Sequence, residues 1–147
     1  MPGGVKYINP KGEDLEIYFP DPQAYLPVQR KLGLIEWLKW GKRDEETAPE
    51  LAEFLQGGWA RKDLLDAGEW KQLDTEIVSL AVHAFMEKDE DNAPLWFEVP
   101  QGHAIQALII KEHNEERVYV IISDPPLEYS WLHDGWPLLA SIDQLTG

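Results

Sequence analysis

Leu15, Ile17 and Phe19 alternate with polar neighbours, the two-residue period of a half-buried strand. Pro20, Pro22 and Pro27 follow and predict an extended loop, since proline fixes φ and brings no amide donor. After Thr47 the pattern turns helical. Thr47-Ala48-Pro49-Glu50 offers an N-cap Thr, a proline near the first turn and a Glu placed to complete a capping box. Leu51, Phe54 and Leu55 supply an apolar face, and Gly57-Gly58 a stop. A second helix is predicted from about Arg61 to Leu73, weakened by Gly68.

Beyond that point the chain is rich in β-branched and aromatic residues. Strands are expected over Ile77 to Phe85, Leu95 to Val99, Ala104 to Glu112 and Arg117 to Ser123. Pro100-Gln101-Gly102 and Asn114-Glu115-Glu116 read as turns between successive runs, which predicts antiparallel hairpins. Asp124-Pro125-Pro126 opens a short helical or turn segment through Trp131, and a last strand follows from Trp136 to Ser141. Consecutive strands without helical crossovers argue against a doubly wound parallel sheet. No repeat or linker interrupts the chain, so residues 1–147 are read as one domain of the α+β class.

Composition narrows the chemistry. The apolar fraction of 44%, with seven Trp, five Tyr and four Phe, belongs to a folded chain. The absence of Cys excludes disulfides, thiolate metal sites and a thiol nucleophile. Four scattered His give no zinc spacing, and no phosphate-binding glycine loop or Gly-x-Ser-x-Gly elbow is present, so no cofactor or metal is expected. Apolar runs such as Ile105 to Ile110 are too short to span a bilayer, and the N-terminus lacks the pattern of a signal peptide. No membrane partner and a cytoplasmic setting are the expectations.

The charge balance is 27 acids against 13 bases, a net of −14, which opposes nonspecific attraction to phosphate backbones. The cations are nonetheless concentrated. Arg30, Lys31, Lys39, Lys42 and Arg43 share residues 30–43 with Trp37 and Trp40, against the single acid Glu36. Such a strip suits single-stranded nucleic acid, with the indoles free to stack on bases. The bland alternative makes the tryptophans core residues and the cations an ordinary exposed face.

A series of short motifs runs in order along the chain: Met1-Pro2-Gly3-Gly4, Leu32-Gly33-Leu34-Ile35, Trp59-Ala60-Arg61, Ala84-Phe85-Met86-Glu87, Pro94-Leu95-Trp96-Phe97 and Leu132-His133-Asp134-Gly135-Trp136-Pro137. The series resembles the SOS-response-associated peptidase (SRAP) family, whose members recognise abasic sites in single-stranded DNA. That family begins Met-Cys-Gly-Arg and continues with Trp-Gly-Leu-Ile-Pro, Asn-Ala-Arg, Gly-Phe-Tyr-Glu-Trp and Ile-His-Asp-Arg-Met-Pro. The resemblance implies an SRAP-like fold: mainly an antiparallel, curved or barrel-like sheet with a few helices. It also implies a site. In the family the N-terminal Cys captures the abasic aldehyde as a thiazolidine, Glu and His move protons, and Arg contacts phosphate. Glu87, His133 and Arg61 match those last three positions. Aldehyde capture needs such an acid–base group, and His suits near-neutral pH.

The departures define what is missing. Pro2 stands where Cys is expected, Trp59 where Asn is expected, and Gly135 where the closing Arg is expected. A thiazolidine ring cannot form at Pro2. An amine at Pro2, exposed by removal of Met1, retains iminium chemistry. Two readings follow. In the first, a diverged SRAP-like protein binds single-stranded or abasic DNA through Arg61 and the 30–43 strip. In the second, a noncatalytic interaction domain of phage or prophage type keeps the fold, loses the DNA site and meets a basic protein partner. On the bland view Glu87 is a surface residue of an acidic turn and His133 caps a turn beside Asp134.

Overall fold

The computed structural model describes residues 1–30, 33–132 and 135–142. Twelve strands are described: β1 Gly4–Ile8, β2 Asp14–Tyr18, β3 Tyr25–Gln29, β4 Ile35–Trp40, β5 Trp59–Arg61, β6 Asp74–Leu80, β7 Ala84–Lys88, β8 Pro94–Glu98, β9 His103–Glu112, β10 Glu115–Ser123, β11 Trp136–Pro137 and β12 Leu139–Ser141. The α-helix described is α1, Lys62–Asp66. No helix among the described residues is long and apolar enough to cross a membrane.

Two sheets carry the architecture. One is small and antiparallel, in the order β2-β1-β7-β8. The other runs β10-β4-β3-β6-β9 and closes on itself through the β9–β10 hairpin, giving a five-stranded barrel. Closure needs one parallel contact, because β4 lies alongside β10 in the same direction, as does β5 further along. Val28, Trp40, Leu80, Ile109 and Val120 fill the barrel, and Val5 and Phe85 bring the inner face of the small sheet onto the same core. A second cluster, with Phe54, Ala60, Leu108, Ile110, Tyr119 and Ile121, lies under the segment between β4 and β6. Strands β9 and β10 are therefore covered on both faces. Their unbroken apolar runs, without alternation, follow from that.

Several expectations need correction. The helix expected after Thr47 is a single 3-10 turn at Pro49–Leu51, with Ala48 rather than Thr47 at its start and no side-chain cap. Tertiary partners take the carbonyls a helix would use: Lys42 Nζ donates to Leu51 O at 2.8 Å and Tyr119 Oη to Leu55 O at 2.7 Å. The second helix shrinks to α1, because Arg61 belongs to β5 and the chain turns at Gly68, whose N–H donates to Leu65 O. The run from Ile77 to Phe85 is two strands in different sheets. Pro27 sits within β3 rather than in a loop, opposite Trp37, and its carbonyl accepts the Ala81 N–H. Pro100-Gln101-Gly102 joins the two sheets instead of making a hairpin. The β9–β10 hairpin does form, turning on His113 and Asn114 with φ of 50° and 63°.

Candidate functional site

The residues before β1 are clamped between neighbouring strands. Gly3 N–H donates to Met86 O at 3.0 Å, and Phe19 N–H donates to Gly3 O at 3.0 Å. Pro2 is buried, and the Trp59 indole N–H donates to its carbonyl at 2.8 Å. The Met1 ammonium then donates to Glu87 Oε2 at 3.2 Å and to Gly135 O at 3.1 Å. Thus the first motif, the Glu of the fourth and the glycine of the last meet at one place, across 86 and 134 residues of sequence.

Glu87 is not a surface residue of an acidic turn. It lies on β7 and is 3% exposed. Strand alternation puts it on the same face as Phe85, the face packed on the barrel. A carboxylate held this far from water needs a cationic or donor partner, and the Met1 ammonium supplies one. Gly135 has φ 111°, and Ile122 would lie 3.1 Å from any Cβ there, so backbone conformation favours glycine where the family motif has Arg. His133 lies outside the described residues, as does Lys31.

A cleft of about 920 Å³ opens beside the Met1–Glu87 contact. Tyr18, Phe19, Trp59, Met86, Trp96 and Trp131 give it aromatic and thioether walls. Asp89 and Glu90 stand on its rim with Lys88. Sequence patterns placed Trp59 and Trp96 in motifs without assigning them a wall. Met86 could have been found from strand alternation. Tyr18 and Trp131 come from distant segments with no shared signal.

The basic strip is dispersed by folding. Trp40 is 0% exposed, packs in the barrel and donates its indole N–H to Gly58 O at 2.9 Å. Arg43 is 7% exposed, stacks on Phe19 and gives its guanidinium to the carbonyls of Trp40, Phe19 and Asp21. Burial draws its pKa below the ordinary arginine value. Lys39 pairs with Glu46 at 2.7 Å, and Lys42 is spent on Leu51 O. Arg30 bonds Glu116 and Glu36 and faces Glu76 at 3.6 Å. Trp37 is the strip's accessible aromatic, 44% exposed, edge-on to Tyr7 at 5.0 Å.

Glu46 is the hub of this neutralisation. Burial pulls its pKa up, but hydrogen bonds from Lys39, the Arg43 N–H and Arg117 outweigh burial and bring it to about 2. Arg61 is exposed at the end of β5, opposite Ile122, and holds Asp63 through two N–H···O bonds at 3.1 and 3.0 Å. None of the strip's described cations lines the cleft, whose lining carries Glu87, Asp89 and Glu90 against the Met1 ammonium and Lys88. No protein-family model matches the chain, and no curated protein or solved structure matches it either.

Proposed function

We propose that the chain is a diverged SRAP-like domain, cytoplasmic in setting, whose N-terminal cleft serves noncovalent recognition of a protein partner. The observation that carries this is electrostatic. Arg30, Lys39, Lys42 and Arg43 are consumed by carboxylates and backbone carbonyls, while Asp89 and Glu90 line the cleft beside Lys88 and Glu87 there holds the Met1 ammonium. On a chain of net charge −14, a polyphosphate ligand would meet acids where it needs counterions. A basic polypeptide meets complementary charge and an aromatic wall. Thiol chemistry has no residue to perform it, since Pro2 occupies the cysteine position of the resembled motif.

A second reading keeps single-stranded or abasic DNA as the ligand. It is favoured by the aromatic walls of the cleft, which suit base stacking, and by exposed Arg61. Its covalent form uses the Pro2 amine after loss of Met1, with Glu87 and His133 moving protons. Fluorescence anisotropy with a labelled oligo-dT and an abasic oligonucleotide at low salt separates the two. The protein-partner reading expects no saturable binding to either. Tight binding that falls steeply with added salt would replace it by the DNA reading.

A further inference from the structure

Strand β8 ends the small sheet, and no described strand pairs with its far side. The Val99 N–H donates to His83 O at 2.8 Å, which sets the phase of the ladder. Phe97 and Leu95 then exchange bonds with β7, and the backbone groups of Trp96 and Glu98 point outward. Across the sheet, Tyr18, Gly4, Met86 and Trp96 form one row on the outer face. Gly4 contributes no side chain, the Tyr18 ring lies against it, and Tyr18 meets Trp96 with ring centroids 6.2 Å apart. The Trp96 ring already carries one ammonium, that of Lys6, at 4.3 Å. Exposed Glu90 and Glu98 stand near the two ends of the strand.

We propose that the free edge of β8 is a docking site for an extended, lysine- or arginine-bearing segment of a partner protein, added as a fifth strand to the small sheet. This deepens the partner-binding reading and rests on it. Main-chain bonds to Trp96 and Glu98 supply affinity, and alternate basic side chains reach Glu90, Glu98 and the Trp96 ring. Charge decides against a second copy of this chain as the occupant. A copy paired at the same edge would bring together two molecules of net charge −14. Pro94 at the start of the strand and Glu98 at its end limit self-association in the same way.

The probe is a fluorescein-labelled alternating Lys-Val octapeptide, with the Glu-Val octapeptide and oligo-dT as comparisons. Anisotropy reports affinity, and amide hydrogen exchange of the full chain reports where the peptide lies. The expected result is salt-sensitive binding of Lys-Val alone, slowed exchange at Trp96 and Glu98, and affinity lowered roughly tenfold in the E90K/E98K variant. If Lys-Val binds but leaves those two amides unchanged, the edge proposal falls while the partner-binding reading stands. If oligo-dT binds and Lys-Val does not, both fall.

Discussion

Replacing Glu46 by Gln tests the claim that the basic strip is neutralised from within. The carboxylate accepts from Lys39 Nζ at 2.7 Å, from the Arg43 N–H at 2.7 Å and from Arg117 Nη1 at 2.9 Å. Arg117 is 4% exposed, so losing a partner charge leaves a buried cation dependent on Glu115 and the Gly41 carbonyl. The carboxyl pKa falls from 4.5 to about 2 on folding. A depressed folded-state pKa adds stability that is complete above the unfolded value and is lost as pH falls through the folded one. The shift corresponds to roughly 3 kcal/mol at ~1.4 kcal/mol per pKa unit. Solvent reaches part of the side chain, which keeps 17% of its accessible surface. Screening reduces the expected contribution to about 1.5 kcal/mol. The assay is urea unfolding of wild type and Glu46→Gln at a series of pH values. Wild type should lose this stability between about pH 4.5 and pH 2, whereas the variant should start lower and fall less over that window. Equal pH slopes for the two proteins would refute the assignment of Glu46 as the hub.

Gly41→Ala should cost upwards of about 3 kcal/mol in denaturant unfolding, because overpacked and strained backbone sites are among the costliest to alter. Gly41 has φ 64°, and a Cβ there would stand 2.2 Å from Gly57 O; near-wild-type stability would mean that β4 and the Gly57 bridge do not approach this closely. Trp59→Phe removes the donor to Pro2 O and should cost about 1 kcal/mol. It should also speed amide exchange at Gly3, and unchanged exchange would show that the indole does not hold the N-terminal segment. Borohydride treatment with an abasic oligonucleotide should leave the intact mass of the protein unshifted. An adduct that disappears in Glu87→Gln would instead establish amine chemistry in the cleft.

Strand content was legible because it is written locally. The alternation at Leu15–Ile17 and the β-branched runs of β9 and β10 place strands within a residue or two of those found. The meeting of Met1 with Glu87 and Gly135 is a tertiary contact across 86 and 134 residues, and His133 is outside the described residues. Helix signals misled for a tertiary reason. Thr47-Ala48-Pro49-Glu50 has the residues of a helix start, yet Phe54 had to enter the cluster around Tyr119. The carbonyls that a helix needs were taken by Lys42 and Tyr119.

The sequence by itself determined the strand-rich character of the chain, its lack of thiol chemistry and its acidity, because each depends on residue type or on neighbours in the chain. Only the tertiary structure decided the fate of Arg30, Lys39, Lys42 and Arg43. Whether a charged side chain serves a ligand or a neighbouring carbonyl depends on groups far away in sequence, as with Arg30 and Glu116 or Arg43 and Phe19. The same holds for Glu87. Its neighbours Lys88 and Asp89 suggest a solvated turn, but pairing with β1 and β8 turns its side chain toward the barrel. Burial is a property of packing, and packing is not a local quantity.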